Sequence, residues 1–399
     1  MTKKLNFQIF LGIFLGVLAG LIAREEAVFL QPIGEMFVRL LKMLIIPLVS
    51  TSIIIGVVNL GDIRQLSKLG GVTAIFFMGT TVIAATIGII AANFFKPGLE
   101  SGIIFDDMPQ ELTPILPGDL VSIFTEIVPQ NIVSDMAEGK LLPFIFFSII
   151  LGASFIAIGR KGEPVIKFFD SLNDAVLKLV DWVMKLAPIG VFALIADIVS
   201  KTGVDVVMPL GLYIGTVLVG LSVHAIFVLP MIVMLFGRYS PIRLLTQLSP
   251  ALAMAFSTSS SVATLPVTLD CLNKKTRLPN RITSFVCSLG TTINMDGTAV
   301  YQAVTALFIA QIYGIQLTFF QLGVVIVTAT LASIGAAALP SAGLITIVII
   351  LNTLGLPLEA MGLILAVDRI MDMFRTMVNV FSDAIISVVI ARREGELIN

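Results

Sequence analysis

The stretch that decides the fold is Asp368-Arg-Ile-Met-Asp372-Met-Phe-Arg375-Thr376-Met-Val-Asn379-Val-Phe-Ser-Asp383, inside the apolar run 361–390. On an α-helix its polar residues fall within a stripe about 100° wide, opposite a face of Met, Phe, Val and Ile. At the centre of a membrane helix, Asp372, Arg375 and Asp383 together cost roughly 8–10 kcal/mol before pairing. An Asp372–Arg375 pair at i, i+3 lowers this cost but leaves Asp383 without a partner on the same helix. The stripe therefore predicts a site for a zwitterionic or anionic solute and a cation.

The composition indicates a polytopic helical membrane protein. The 399 residues are 57% hydrophobic and 13% charged, with a mean hydropathy of +1.03, whereas soluble domains carry about 25% charged residues. The net charge of −1 gives no electrostatic case for nucleic-acid binding. The sequence has no Cys/His cluster, phosphate-binding Gly-rich loop or nucleophile elbow, so it predicts no enzyme. His224, the single histidine, is expected to be packed or hydrogen-bonded rather than a ligand.

Apolar runs predict the membrane segments. They cover residues 7–23, 33–60, 70–95, 141–159, 164–200, 207–237, 245–273, 282–313, 317–354 and 357–391. The half-polar stretch 116–140, with Pro129 and a Gly139-Lys140 break, predicts a fourth helix in pieces. No segment has the composition of a soluble domain.

Loop charges give the orientation by the positive-inside rule. One set of connections is basic: Lys3, Lys4, Arg64, Lys68, Arg160, Lys161, Lys167, Arg238, Arg243, Lys274, Lys275, Arg277, Arg281, Arg392 and Arg393. The other set holds Arg24, Lys96 and Lys201, and its long connection 96–119 is acidic. Both termini are therefore expected to be cytoplasmic.

The same charges predict two re-entrant hairpins. Both ends of 245–273 are basic, so this segment enters and leaves the membrane by the inner face, and the parity of the neighbouring helices puts both ends of 317–354 outside. Each segment is interrupted in its middle, over 257–266 and over 333–343, and its halves are shorter than the roughly 20 residues a spanning helix needs. Two hairpins from opposite sides, each followed by a helix, indicate an inverted repeat whose tips bind solute and ions.

Between the hairpins lies Gly290-Thr-Thr292-Ile-Asn294-Met-Asp296-Gly297-Thr298. The glycine and the polar cluster predict a locally unwound helix. Its Asn, Asp and Thr oxygens and free carbonyls are hard ligands, which suit Na⁺ better than a transition metal.

These motifs, taken together, resemble the glutamate transporter family, the dicarboxylate/amino acid:cation symporters, nearly end to end. The resemblance rests on segments 40–47, 127–131 and 140–147, the serine-rich hairpin, Asn294-Met-Asp-Gly-Thr298, Ser333-Ile-Gly335, and Arg375-Thr-Met-Val-Asn379 with Asp383. It implies an all-α membrane protein with eight transmembrane helices plus two re-entrant hairpins, and an elevator-type homotrimer. Residues 1–69 (helices 1 and 2) and 96–200 (broken helix 4 and helix 5) correspond to the scaffold. Residues 70–95 (helix 3) and 201–399 (helix 6 to helix 8, with both hairpins) correspond to the transport domain.

The resemblance also implies a substrate site. Asp372, helped by Thr376, corresponds to the residue that pairs with the substrate amino group. Arg375, with Thr298, corresponds to the ligand of the side-chain carboxylate, which a guanidinium binds bidentately. The implied ligands of the α-carboxylate are Asn379 and the tip backbone around Ser260 and Ser261, and Leu339 of the second tip joins the substrate set.

Three sodium sites follow from the same resemblance. The first set is Asp383, Asn379, Asn294 and the Gly290 carbonyl. The second is Asp296, Asn294, Thr80 and Thr81. The third is Thr292 with the carbonyls near Ser333, Ile334 and Ala336. No other cofactor is implied.

The expected function is uptake of aspartate or glutamate coupled to Na⁺, in the plasma (inner) membrane of a prokaryote. Gln302 stands where the animal carriers have a glutamate linked to proton and potassium coupling, which favours sodium. Ser259 and Met373 stand where other members have an arginine, and Arg369 lies nearby. The alternatives are a proton-coupled acidic amino-acid symporter and a C4-dicarboxylate or neutral amino-acid carrier of the same fold. An ion channel could use the same carboxylates as a selectivity ring, and stoichiometric coupling of solute to ion would distinguish a symporter from it. An intramembrane aspartyl protease needs two carboxylates that face each other, whereas Asp368, Asp372 and Asp383 share one helix face.

Overall fold

The computed structural model describes residues 2–61, 67–99, 128–137, 141–202, 207–335, 342–358 and 360–396. The helices are α1 (Thr2–Ala23), α2 (Gln31–Gly61), α3 (Ser67–Phe95), α4 (Ile132–Ala137), α5 (Leu141–Ala157), α6 (Glu163–Met184), α7 (Ala187–Thr202), α8 (Val207–Val223), α9 (Pro241–Thr258), α10 (Ser261–Asp270), α11 (Asn280–Ile293), α12 (Asp296–Ile312), α13 (Phe319–Gly335), α14 (Ala342–Leu354) and α15 (Met361–Arg393). The described residues contain no β-strand, so the all-α prediction is confirmed for them.

Three helical stretches among the described residues are long and apolar enough to cross a bilayer, namely Gly70–Phe95, Met208–Gly237 and Val367–Arg393. The second joins α8 to two π-helical segments, His224–Val228 and Val233–Gly237. In the third, which belongs to α15, 83% of the most apolar window is buried inside the protein, against 44% and 39% in the other two. Of these three stretches, the one in α15 is therefore the most deeply buried inside the protein, and α15 packs against α9, α11 and α12. The predicted number of eight spans stays a prediction.

The predicted single segment 164–200 is wrong in one respect, because the structure divides it into α6 and α7. The two helices meet at an angle of 51°. Leu186 N donates to the Val183 carbonyl in a tight turn (2.9 Å). Pro188, at the start of α7, has no N–H to continue the ladder of α6, and its ring clashes with the preceding turn. Of the predicted broken helix 116–140, residues 128–137 are described and contain only the short helix α4.

The first hairpin is formed by α9 and α10, which pack against each other. Only Ser259 and Ser260 lie between them. Ser259 ends α9 in the left-handed conformation (φ 51°), and the Ser260 hydroxyl accepts a hydrogen bond from Ala263 N at the start of α10 (3.2 Å). The break is shorter than predicted, because these two serines supply the whole reversal and Pro266 lies inside α10.

The structure also interrupts the chain at the two other predicted places, within 333–343 and within 290–298. α13 ends at Gly335 and α14 begins at Ala342, and these two helices pack against each other. The link 336–341 lies outside the described residues. Between α11 and α12, Asn294 and Met295 leave the helical conformation (φ −106°, ψ 94° and φ −124°, ψ 56°). The local unwinding predicted for 290–298 is therefore confirmed and narrowed to two residues.

α1 and α7 pack at backbone contact distance through glycines one turn apart. A Cβ on Gly12 would lie 2.5 Å from the Pro188 carbonyl oxygen, and one on Gly16 would lie 2.7 Å from that of Phe192. Helices in lipid associate by such close packing of small residues, since lipid removes the hydrophobic force between them. The glycines of α1 are therefore packing residues.

This packing predicts that Gly16→Ala destabilises the protein by about 1–3 kcal/mol, because the new methyl group overpacks the α1–α7 interface. The matched control is Gly211→Ala in α8, where an added Cβ meets no atom within 4 Å. There, alanine gains helix propensity, so stability is expected to stay equal or rise. Thermal unfolding of the purified protein in detergent measures both; equal midpoints for the two variants would contradict the packing role.

Candidate functional site

The predicted polar stripe of α15 is buried. Its residues Asp368, Asp372, Arg375, Thr376, Asn379 and Asp383 are each at most 6% exposed. Arg375, at 1%, heads the largest side chains that are fully buried. Such burial in an apolar protein requires every charge to find a partner.

Arg375 is held by two carboxylates and an aromatic ring. Its Nη2 donates to Asp372 Oδ1 (2.7 Å) and lies 3.1 Å from Asp368 Oδ1. The guanidinium carbon lies 3.9 Å from the centre of the Tyr301 ring, and the Tyr301 hydroxyl donates to Asp368 Oδ1 (2.8 Å). Sequence reasoning found the Asp372 pair through its i, i+3 spacing, and missed Tyr301 on α12. Arg375 Nε and Nη1 have no hydrogen-bond partner among the described residues.

Two glycines let neighbouring backbones approach Arg375. A Cβ on Gly343, in α14, would lie 2.5 Å from Arg375 Nη1, and a Cβ on Gly297, in α12, would lie 2.5 Å from the Arg375 carbonyl oxygen. The second arm of the second hairpin therefore closes over the guanidinium. The first hairpin reaches the same region, since Phe256 and Phe374 pack edge to face at 5.1 Å.

Asp372 has a second cation nearby. Arg369 Nη1 lies 3.5 Å from Asp372 Oδ2, on the side away from Arg375. Ser259, at the first tip, is buried. Arg369 thus contributes the extra positive charge to this network from α15 itself.

Asn379 and Thr298, both predicted to bind substrate, are linked to each other. Asn379 Oδ1 accepts a hydrogen bond from Gly297 N (2.7 Å), and its Nδ2 lies 3.5 Å from Thr298 Oγ1. Thr298 and Thr376 are each 5% exposed. Ser261, the first residue of α10, is likewise buried, and Leu339 lies outside the described residues.

The first predicted cation set is largely brought together. Asn294 Nδ2 donates to Asp383 Oδ1 (2.8 Å), and a Cβ on Gly290 would overlap that same oxygen, so the backbone of α11 touches this carboxylate. Asn294 Oδ1 is buried and has no partner among the described residues. The Asn379 carboxamide is directed to Gly297 and Thr298, and its membership of this set stays a prediction.

The second predicted cation set centres on Asp296, which is fully buried. Thr81 Oγ1 lies 2.9 Å from two acceptors, Asp296 Oδ1 and the Phe77 carbonyl, and can donate to either. The Thr80 hydroxyl is directed to the Phe77 carbonyl alone (2.9 Å). Asp296 Oδ2 has two partners that sequence reasoning did not assign, His224 Nε2 (3.0 Å) and Ser382 Oγ (2.7 Å). The expectation that His224 is hydrogen-bonded is confirmed.

The third set is the least assembled of the three. The hydroxyls of Thr292 and Ser333 are directed to carbonyls of their own helices, at Ser288 (3.5 Å) and Thr330 (2.7 Å). No hydrogen bond between described side chains joins them. The Ile334 side chain and Ala336 lie outside the described part of the chain.

The oxygen atoms of the first two sets are suitable ligands for a sodium ion. They are carboxylate, amide, hydroxyl and carbonyl oxygens, and Asn294 leaves one buried acceptor oxygen without a donor. A hard monovalent cation takes such ligands. The described residues contain no group of three His, Cys, Asp or Glu side chains that could hold a transition metal.

Gln302 joins α12 to the second hairpin. Its Nε2 donates to Thr346 Oγ1 in α14, while its Oε1 is buried without a partner among the described residues. Gln302 therefore contacts α14, the same helix whose Gly343 lies against Arg375.

Comparison with known proteins places these features in one family. A family model described as the sodium:dicarboxylate symporter family matches residues 5–393. The proton/sodium-glutamate symport protein of Bacillus caldotenax is 37% identical, over 98% of this chain and 95% of that protein. Excitatory amino acid transporter 3 of Mus musculus is 37% identical, over 88% of this chain and 76% of that protein. Neutral amino acid transporter B(0) of Oryctolagus cuniculus is 38% identical, over 88% and 71%.

The matched family and these relatives are transporters, which confirms the prediction of a membrane transporter rather than an enzyme. Arg375, Asp383, Asn294 and Asp296 lie in the segments on which the resemblance rested. The chain belongs to the sodium:dicarboxylate symporter family.

Proposed function

We propose that this protein is a Na⁺-coupled symporter that takes up aspartate or glutamate. The observation that carries the proposal is the buried face of α15, on which Arg375 and Asp372 pair at 2.7 Å and Asp383 lies two turns further on, beside Asn294 and Gly290. An acidic amino acid needs one cation and one anion for its side-chain carboxylate and its amine. A coupling cation needs a separate anionic oxygen site, which Asp383 supplies.

When substrate binds, ion pairs within the protein are replaced by ion pairs with the substrate. Asp372 receives the substrate amino group, helped by Thr376, and Arg375 receives the side-chain carboxylate, helped by Thr298. Arg375 and Asp372 neutralise each other when no substrate is bound. When substrate binds, its carboxylate replaces Asp372 as the partner of Arg375, and its ammonium replaces Arg375 as the partner of Asp372. Asn379 and the tip around Ser260 and Ser261 hold the α-carboxylate, with Leu339 of the second tip closing the site.

The buried charges account for the need for cations. The buried charged residues of the described chain are four aspartates and two arginines, with a formal net charge of −2: Asp296, Asp368, Arg369, Asp372, Arg375 and Asp383. Two sodium ions, at the Asp383 and Asp296 sets, neutralise them. A bound acidic amino acid adds a net −1, which a third ion at the Thr292 set with the carbonyls of Ser333, Ile334 and Ala336 offsets. The positive charge of sodium offsets the desolvation free energy of burying the anionic substrate in a low-dielectric interior.

The same ions supply the driving force. A membrane potential of about 100 mV, inside negative, contributes roughly 2.3 kcal/mol for each ion that enters. A tenfold Na⁺ gradient contributes roughly 1.4 kcal/mol more. Two or three ions suffice to concentrate an anion strongly against that potential. No other cofactor is required.

The architecture proposed with this function is a homotrimeric elevator in the plasma (inner) membrane, with eight spans, two re-entrant hairpins and cytoplasmic termini. Residues 1–69 and 96–200 form the scaffold, and residues 70–95 and 201–399 form the transport domain. The packing supports this division. α2 packs against α5, α6 and α7, and α3 packs along α12, which brings Thr81 to Asp296.

Two alternatives have specific support. The Bacillus caldotenax relative is named for both proton and sodium, which supports a proton-coupled acidic amino-acid symporter. The neutral amino acid transporter relative supports a carrier of the same fold for neutral amino acids. A C4-dicarboxylate carrier would have no use for Asp372, and a neutral carrier would have none for Arg375. The charge of these two residues therefore favours acidic amino acids.

Uptake of radiolabelled aspartate into proteoliposomes tests the coupling ion. Accumulation is expected with an inward Na⁺ gradient and not with an inward proton gradient alone, because Gln302 replaces the carboxylate linked to proton coupling. Accumulation driven by protons alone would contradict sodium coupling. Uptake of succinate or serine, but not aspartate, would overturn the substrate assignment.

Asp372→Asn is expected to abolish aspartate uptake, because the amide cannot neutralise the substrate ammonium and leaves Arg375 short of a counter-ion. Removing one partner of a buried, hydrogen-bonded charge pair between binding partners costs about 2–5 kcal/mol of binding free energy, which corresponds to a fall in affinity of roughly thirtyfold or more. Asp181→Asn, at an exposed carboxylate paired with Lys185, is the matched control. Full aspartate transport by Asp372→Asn would show that another group receives the amine.

Arg375→Cys is expected to shift selectivity from acidic to neutral amino acids, because it removes the guanidinium that binds the side-chain carboxylate. Competition of aspartate and serine for Na⁺-dependent uptake measures the change. Arg243→Cys, at an arginine stacked on Tyr239 in the first hairpin, serves as the control with unchanged selectivity. An unaltered aspartate affinity in Arg375→Cys would disprove the carboxylate role.

A further inference from the structure

His224 lies at the start of the first π-helical segment after α8 and is fully buried. Single π-helical turns inside α-helices occur frequently at functional sites. Its Nε2 lies 3.0 Å from Asp296 Oδ2, across 72 residues of sequence. The π-helical turn therefore places the imidazole of His224 beside the carboxylate of Asp296, a residue of the second cation set.

The contacts define which ring nitrogen carries the hydrogen. Asp296 Oδ2 is an acceptor, so Nε2 donates. His224 Nδ1 is buried and has no hydrogen-bond partner among the described residues. A hydrogen there would be a buried donor without an acceptor, which costs more than an unpaired acceptor. The geometry fits an imidazole that donates from Nε2 to Asp296.

Three helices converge on this one carboxylate. Oδ2 accepts from His224 and from Ser382 of α15 (2.7 Å), and Oδ1 accepts from Thr81 of α3 (2.9 Å). A carboxylate offers about four lone-pair positions, two on each oxygen. Both positions on Oδ2 are occupied, so the one position that remains is on Oδ1, beside Thr81.

We propose that His224 is a positioning residue for the cation site at Asp296. It fixes Oδ2 together with Ser382, so that the remaining lone pair of Oδ1 is presented to the sodium ion between Asp296, Thr81 and Asn294. Residues that hydrogen-bond a metal ligand commonly fix its orientation, and their loss lowers metal affinity by about 10–100-fold. The proposal rests on the proposed sodium coupling and adds a residue that acts through Asp296 without touching the ion.

Two substitutions separate the hydrogen bond from simple packing. His224→Leu fills the space but removes the donor. His224→Gln restores an N–H donor the same number of bonds from Cβ as Nε2. Tyr213→Phe is the matched control, since it removes a buried hydrogen bond to Thr305 (2.8 Å) from α8, at a position away from Asp296.

The measurement is the rise in unfolding temperature of the purified protein with Na⁺ concentration, since an ion that binds only the folded state stabilises it by mass action. His224→Leu is expected to need about 10–100-fold more Na⁺ for the same rise, as for the loss of other residues that support a metal ligand. His224→Gln and Tyr213→Phe are expected to match the wild type. The Na⁺ dependence of aspartate uptake is expected to shift in parallel, while uptake at saturating Na⁺ recovers.

An unchanged Na⁺ dependence in His224→Leu would overturn the positioning role, and so would equal shifts in His224→Leu and His224→Gln. If His224→Leu does not fold, Ser382→Ala removes the second donor to Oδ2, and an unchanged Na⁺ dependence there would overturn the proposal. A wild type that shows no Na⁺-dependent stabilisation would overturn the sodium coupling as well. The two failures are therefore distinguishable.

Discussion

The structure depends on the burial of six charged side chains in a protein whose surroundings are apolar. An isolated charge at that depth is strongly unfavourable, so each one must lie within reach of an opposite charge or a strong donor. Arg375 satisfies this with Asp372, Asp368 and the face of Tyr301. Asp383 and Asp296 instead have neutral donors, which leaves the described site with an excess of negative charge. A bound cation can neutralise that excess of negative charge.

The helix breaks follow from the same constraint. Non-helical backbone at membrane depth is tolerated where protein or a polar cavity covers it. The break at Asn294 and Met295 lies beside Asp383 and Asp296, and the tip at Ser259 and Ser260 begins the helix that faces α15. Gly290 and Gly343 remove the side chains that would keep these backbones away from Asp383 and Arg375.

The start of α12 connects the candidate solute and cation sites. Asn294 bonds Asp383 through one end of its carboxamide and presents a free oxygen at the other. Asp296 follows two residues later, and Gly297 N donates to Asn379, a candidate substrate ligand. A cation that orders Asn294 and Asp296 therefore orders the backbone that holds Asn379. This short path gives a physical basis for coupling a solute to an ion.

The sequence by itself determined most of the helices, the breaks at Ser259–Ser260 and at Asn294–Met295, and the buried polar face of α15, because these depend on spacings of three and four residues and on local serine and glycine. The Arg375–Asp372 pair was readable for the same reason. The bend between α6 and α7 was not determined in this way. Only the tertiary structure decided that Tyr301 lies under Arg375, that His224 and Ser382 hold Asp296, and that the carboxamide of Asn379 is directed to Gly297. These partners are 67 to 86 residues apart and lie on different helices. No periodicity relates such residues, since the angle and depth at which two helices pack decide which side chains meet.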